Sequence, residues 1–296
     1  MAQDIVKKNI LDSGRVLKSV YAHLFGKRKA GLSKQVFRDV ETMFSGNYKD
    51  YAANDTPYHD FKHTVHVMVC FAEIMEGRHM AGVEPVLTFR QFELGLAAVL
   101  LHDTGYLKLR SDVKGTGAKY TQTHVQRSCA VAAAYLPTLG VTKKELEFVQ
   151  KAIRCTAATT FSERIRFRFQ EPIEGVLGCA VATADCLGQM SAPNYFDSLP
   201  LLFQEFEESD NFEGIPPERR MFATVEDLVR GTPGFWRNVI QPRLENDLLG
   251  VYRFLARPYP DGENCYVNAV NATVERIERE MPMAEGKNPP VPRIGR

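Results

Sequence analysis

The chain has 296 residues, 44% of them hydrophobic and 25% charged, a composition that suits a globular protein with a sizeable core. Its 37 Lys and Arg nearly cancel 36 Asp and Glu, leaving a formal net charge of +1, so it lacks the concentrated basic surface of a nucleic-acid-coating protein. The longest apolar run, "LGLAAVLL" at 94–101, is far too short to span a bilayer.

In chain order, "MAQDIVKKNILDSG" has no signal-peptide core, because charges interrupt it. Residues 1–50 are read as an N-terminal helical segment packing on the core. "PYHDFKHTVHVM" (57–68) then carries three of the seven histidines, His59, His63 and His66, and their spacing of four and three stacks them along one helical face. "RQFELGLAAVLLHD" (90–103) is apolar almost all round, which predicts a buried central helix ending at His102 and Asp103. "THVQRSCAVAAAYLP" (123–137) opens with His124, follows an i, i+3, i+4, i+7 pattern and is closed by Pro137 and Gly140. "TKKELEFVQKAIRCT" (142–156) begins with a threonine cap and Glu145 three residues on, a capping-box pattern.

Only "ERIRFRFQ" (163–170) alternates with period two and is predicted as a short strand, its Arg164, Arg166 and Arg168 forming a solvated face or, as the alternative, a phosphate-binding strip. "IEGVLGCAVATADCLGQM" (173–190) is a further apolar helix. Helical patterns at 217–231 and 235–256 are separated by a break at "GTPG", and the Pro-rich tail 285–296 reads as disordered. The cysteines (Cys70, Cys129, Cys155, Cys179, Cys186, Cys265) show no CxxC pairing and are expected as reduced, buried thiols of a cytoplasmic protein. The fold expected is all-α: one main domain at 51–256, with a C-terminal segment at 257–296.

The chemistry concentrates in the apolar helices. Asp185 sits inside "CAVATADCLGQM", where an unpaired carboxylate is costly to bury, and a metal cation would remove that cost. Imidazoles with carboxylates suit zinc, iron or manganese, and carboxylates with water accept magnesium. Each residue also has a plain structural reading, as a capping group or a satisfied core histidine.

The order His63, His102-Asp103, Asp185 resembles the HD-domain superfamily of metal-dependent phosphohydrolases. "YHDFKHTVHV" is similar to the "YHNxxHAxDV" signature of the cyclic nucleotide phosphodiesterases within it. The resemblance covers roughly residues 50 to 250. It implies an HD-domain/phosphodiesterase-like helical bundle around a site of one or two divalent ions (zinc, iron, manganese or magnesium). His63, His102, Asp103 and Asp185 would be ligands, Asp103 the bridge between two ions, and His59 the proton donor to the leaving oxygen as metal-activated water attacks the phosphorus. The implied substrate is a small phosphate ester, a cyclic nucleotide foremost, with neither nucleic acid nor membrane as partner; a homo-oligomer is compatible with all of this.

The chain departs from that pattern at several places. Asp60 replaces the asparagine, His66 stands where the signature has aspartate, and "HDTGY" replaces "HDxxHxG". His124 is the residue available to compensate for the second histidine as a ligand. Thr232 aligns with the purine-binding glutamine, and Phe235 with the aromatic clamp on the base. Asp60 could set the tautomer of a neighbouring imidazole; His66 either orients a ligand or simply packs. Two other readings stay open: a one-metal phosphomonoesterase or nucleotidohydrolase, and a non-catalytic metal- or nucleotide-binding module.

Overall fold

The computed structural model describes residues 2–157 and 169–282. Ten α-helices carry the described fold: α1 (Ala2–Phe25), α2 (Leu32–Phe44), α3 (Phe61–Met80), α4 (Phe89–Leu101), α5 (His124–Tyr135), α6 (Lys143–Arg154), α7 (Pro172–Met190), α8 (Tyr195–Phe212), α9 (Val225–Phe235) and α10 (Cys265–Glu280). Pairing between extended segments is limited, among the described residues, to the isolated bridges Tyr51–Leu109 and Arg257–Glu263. The all-α expectation therefore holds. The predicted strand at 163–170 falls almost wholly outside the described residues, and the tail at 285–296 lies wholly outside them. No described helix is long and apolar enough to cross a membrane.

Helix ends follow the local chemistry. Thr88 and Gln91 cap α4, and Thr142 and Glu145 cap α6, each pair closing a reciprocal capping box. α3 starts at Phe61 because the Asp60 side chain accepts the His63 backbone N–H, 3.0 Å away. His59 thus precedes the helix, and the expected three-histidine stripe is wrong by one member: an N-cap aspartate ends the helix before the stripe is complete. Asp60 spends its carboxylate on that cap, a different role from the one expected of it.

α3 is the centre of the molecule, with α1, α4, α7 and the short turn Val251–Leu255 packed around it. Its closest partner is α7. A Cβ added to Gly188 would stand 3.1 Å from the Val67 backbone, so the small residue lets the two helices cross nearly backbone to backbone. One hydrophobic cluster runs from Val20 of α1 to Ile277 of α10, so both terminal segments share a core with residues 51–256. Cys70, Cys129, Cys155 and Cys186 are buried as expected, whereas Cys179 is half-buried and Cys265, at the start of α10, is exposed.

The break expected at "GTPG" does not form. α9 runs through Thr232 and Pro233, both buried, and continues in wider π-helical turns at Trp236–Ile240 and Arg243–Asp247. Packing of Leu228, Val229 and Trp236 into the core holds the helix across a proline that removes one backbone donor.

A buried carboxylate ties the N-terminal helices to this core. Glu93 of α4 is 1% exposed and accepts hydrogen bonds from Gly31 N (3.1 Å), Ser33 N (3.1 Å), Ser33 Oγ (2.8 Å) and the Tyr21 hydroxyl. It thereby caps α2, whose own N-cap residue, Gly31, has no side chain to do so. Replacing Glu93 with Ala strands these donors, and should lower unfolding free energy by about 3 kcal/mol in a denaturant titration. A loss below about 1 kcal/mol would show that the cap does not hold these helices together.

Candidate metal centre

Four side chains from three helices and one turn converge where α3, α4 and α7 meet. α3 supplies His63 from its first turn, His102 is the C-cap of α4, Asp103 follows it, and α7 brings Asp185. His63 Nε2 lies 3.2 Å from Asp103 Oδ2 and 3.3 Å from Asp185 Oδ1; His102 Nε2 lies 3.2 and 3.5 Å from the same atoms. The two Nε2 atoms are 3.4 Å apart. Donor atoms bound to one cation at about 2.1 Å, with bond angles of roughly 90–110°, stand roughly 3.0–3.4 Å from one another. The cup has the dimensions of a single divalent ion.

The chemistry of the donors agrees. His102 Nδ1–H donates to the Val99 carbonyl at 2.6 Å, which leaves the Nε2 lone pair turned into the cup. Asp103 Oδ2 is buried and makes no hydrogen bond, although it faces both imidazoles. An orphaned buried carboxylate oxygen calls for a positive partner. The buried His63, His102 and Asp103 can hold a metal ion, and Asp185 meets both imidazoles at the same spacing, its side chain 18% exposed at the mouth.

With only protons to balance them, the two carboxylates dominate the local electrostatics. Burial would push His63 down, but the Asp103 and Asp185 carboxylates facing it outweigh that and raise the imidazole to about 9. His102 rises for the same reasons, against the same burial. Burial would raise Asp103 and Asp185, yet the facing imidazoles hold both below the ordinary carboxylate range.

A second group of residues lines the mouth. His59 lies in the turn before α3, its Nδ1 against a carboxylate oxygen of Glu205, which is completely buried on α8. The other Glu205 oxygen accepts from the backbone N–H groups of Tyr58 (2.7 Å) and His59 (3.0 Å). Burial alone would lower the His59 pKa, but the Glu205 charge and hydrogen bond outweigh it and raise it. The Tyr58 hydroxyl donates to Gln189 Oε1, 3.0 Å away and one helical turn beyond Asp185. His124, at the start of α5, donates Nδ1–H to the Thr121 carbonyl (2.6 Å) and sets Nε2 3.9 Å from Asp103 Oδ1. Between His59 and His124 stands Tyr106, stacked on both rings.

The remaining sequence candidates fall elsewhere. His66 is half-buried, burial lowers its pKa, and among the described residues no hydrogen bond joins it to the cup. Thr232 is 3% exposed and gives its hydroxyl to the Leu228 carbonyl of its own helix, 2.9 Å away. Phe235 packs half-buried against the core at the end of α9. Glu205 and Tyr106 went unnoticed in the sequence. Glu205 sits in "LLFQEFEESD", where one glutamate among several reads as a solvated face, and Tyr106 was visible only as the residue that fails the "HDxxHxG" pattern.

Because the ligands must shed protons, affinity for zinc should climb as pH rises from 6.5 toward 9 and level off above it. Asp103→Ala should abolish metal content at every pH. A pH-independent affinity, or an Asp103→Ala protein that retains full stoichiometry by elemental analysis, would refute this donor set.

No curated protein matches this sequence. A family model does match, and it spans residues 3–278, which takes in α2 to α9 whole, together with every residue of the cup and its mouth. The chain belongs to the Npun_R2479-like family.

Proposed function

We propose that this protein is a divalent-metal phosphohydrolase of the HD type acting on a phosphodiester, a cyclic nucleotide being the substrate the sequence resemblance implies. The observation that carries the reading is the pairing of the four-residue cup with an imidazole held beside it by a buried carboxylate. A metal-binding module needs the cup; it has no use for a histidine whose pKa a buried carboxylate raises next to it.

A divalent ion in the cup would neutralise phosphate charge and make water acidic enough to attack near neutral pH. His63, His102, Asp103 and Asp185 would hold it. Asp103 turns Oδ2 toward the two imidazoles and Oδ1 toward His124 Nε2, so its carboxylate faces two directions and suits a site that takes one ion or two.

The protein's own acid is His59. Glu205 fixes its Nδ1 edge and supports the imidazolium, which leaves Nε2 to give a proton to the departing alkoxide. The surrounding loop adds a second anchor: Thr56 Oγ1 (2.6 Å) and Asn54 Nδ2 (3.1 Å) both donate to the His59 carbonyl. His59 is therefore held through backbone N–H, backbone C=O and ring.

His59→Ala should keep its metal and lose turnover, with a smaller loss on nitrophenyl esters, whose leaving group needs less protonation. Equal losses on good and poor leaving groups would remove His59 from the acid role. Glu205→Gln takes away the charge that outweighs burial, so the His59 pKa falls. Activity that needs protonated His59 should then be lost at lower pH, seen as a shifted alkaline limb in kcat; an unmoved limb would sink the assignment.

Base selectivity is expected to be weak. Thr232, aligned with the purine-reading glutamine, has already spent its hydroxyl on Leu228, and Phe235 packs against the core at the end of α9, so neither offers a polar group that reads a base edge. The kcat/KM values for cyclic AMP and cyclic GMP should differ by less than roughly a hundredfold. A larger ratio would mean that other side chains read the base.

A further inference from the structure

Tyr106 lies in the short turn Thr104–Tyr106 that follows His102 and Asp103, and it is 1% exposed. One face of its ring stacks on His59 with centroids 4.6 Å apart and planes within 15°; the other stacks on His124 at 4.6 Å and 13°. Three aromatic rings thus form a layered stack beside the Asp103 carboxylate.

Each imidazole makes a single ring hydrogen bond, His59 Nδ1 to Glu205 and His124 Nδ1 to the Thr121 carbonyl, and His59 also meets Tyr58 and His63 edge-on. One hydrogen bond fixes a corner of a ring and leaves its plane free to swing. A flat ring pressed against the face removes that swing, and Tyr106 does so for both imidazoles at once.

The tyrosine is itself firmly held. The preceding Gly105 passes so close to α5 that a Cβ there would fall 1.9 Å from the His124 carbonyl oxygen. Gly105 N donates to Ser128 Oγ at 2.8 Å, and its carbonyl accepts from Arg127 Nε at 2.6 Å. These bonds set the distance between the turn and α5, and with it the space that the stack fills.

We propose that Tyr106 is a positioning residue that fixes the ring planes and the separation of His59 and His124, holding both imidazoles as parallel plates at the mouth of the metal cup. At 1% exposure its ring is closed off from the solvent from which a substrate arrives. Its effect on turnover, which rests on the function proposed above, passes through His59.

The test compares Tyr106→Phe, which keeps the flat ring, with Tyr106→Leu, which removes it. Tyr106→Met, close in length and without a flat face, takes the place of leucine if that variant does not fold. The first readout is independent of catalysis: ring-proton NMR resonances of His59 and His124 in the histidine-labelled, zinc-loaded full chain, assigned by single replacements. Ring current from Tyr106 should displace both upfield in the wild type and in Tyr106→Phe, and both should return downfield in the leucine or methionine variant while His23 and His79 stay put.

The second readout is kinetic. Loss of the plate should lower kcat on an alkyl phosphodiester by on the order of 10²-fold with little change in KM or zinc content, and by less on a nitrophenyl ester. Unmoved resonances, a kcat equal to wild type, or a loss confined to KM would overturn the proposal. A purely structural tyrosine would lower the melting temperature and leave the folded protein's kcat unchanged. If the wild-type protein hydrolyses no phosphodiester, the proposed function fails, and the resonances alone then decide whether Tyr106 sets the two rings.

Discussion

Asp103 puts a carboxylate into a nearly water-free junction of helices, facing two imidazoles with an oxygen that accepts no hydrogen bond. Burying such a charge costs several kcal/mol unless an opposite charge meets it in good geometry. The rest of the fold follows from that constraint. α3, α4 and α7 cross closely enough to set the His63 and His102 Nε2 atoms within 3.5 Å of the Asp103 and Asp185 carboxylates, and Gly188 permits the approach by offering no side chain at the crossing. The apolar cluster from α1 to α10 then excludes water from behind the cup, so that its open side is the mouth where Asp185, His59 and His124 are partly exposed.

Much of this was legible in the sequence because it follows from local rules. Apolar periodicity gave α4, α6 and α7 nearly to their ends, with the Thr142 cap marking the start of α6, and the four cup residues stood out as expensive side chains within apolar helices. The errors have physical causes. Asp60 could have been read as an N-cap, which would have taken His59 off the helix, but the regular histidine spacing favoured a continuous stripe. "GTPG" looks like a helix stop from propensity alone, yet tertiary packing carries α9 across Pro233 into π-helical turns. No sequence pattern marks α8 as the source of a functional carboxylate, since its glutamates alternate with apolar residues, and which of them points inward depends on how the helix docks.

The two buried glutamates show why sequence reading misses this kind of residue. Glu93 and Glu205 each accept two backbone N–H groups across long chain separations and then bind a side chain as well: Ser33 and Tyr21 for Glu93, the His59 ring for Glu205. Glutamate is among the residues least often buried, so composition argues against both. The same local chemistry serves different ends. Glu93 joins three helices, whereas Glu205 outweighs the burial that would lower the pKa of a loop histidine and raises it instead. What separates the roles is the acceptor's third partner, a hydroxyl in one case and a titratable ring in the other.

The residue after the HD-T-G run makes the same point from the opposite direction. A histidine at position 106 would extend a metal-ligand pattern; a tyrosine there has a neutral phenol at ordinary pH, and burial raises its pKa further, so it is a poor ligand. What it offers in exchange is a wide flat face on each side. Both faces are occupied, by imidazoles whose Nδ1 edges are tied elsewhere, and Gly105 lets the turn come close enough to α5 for the second stack to form. The departure from the expected motif therefore trades a donor atom for a rigid spacer. His124 then takes an ordered place facing Asp103 Oδ1, so that stacked rings occupy the side of the carboxylate where the motif would put a further ligand.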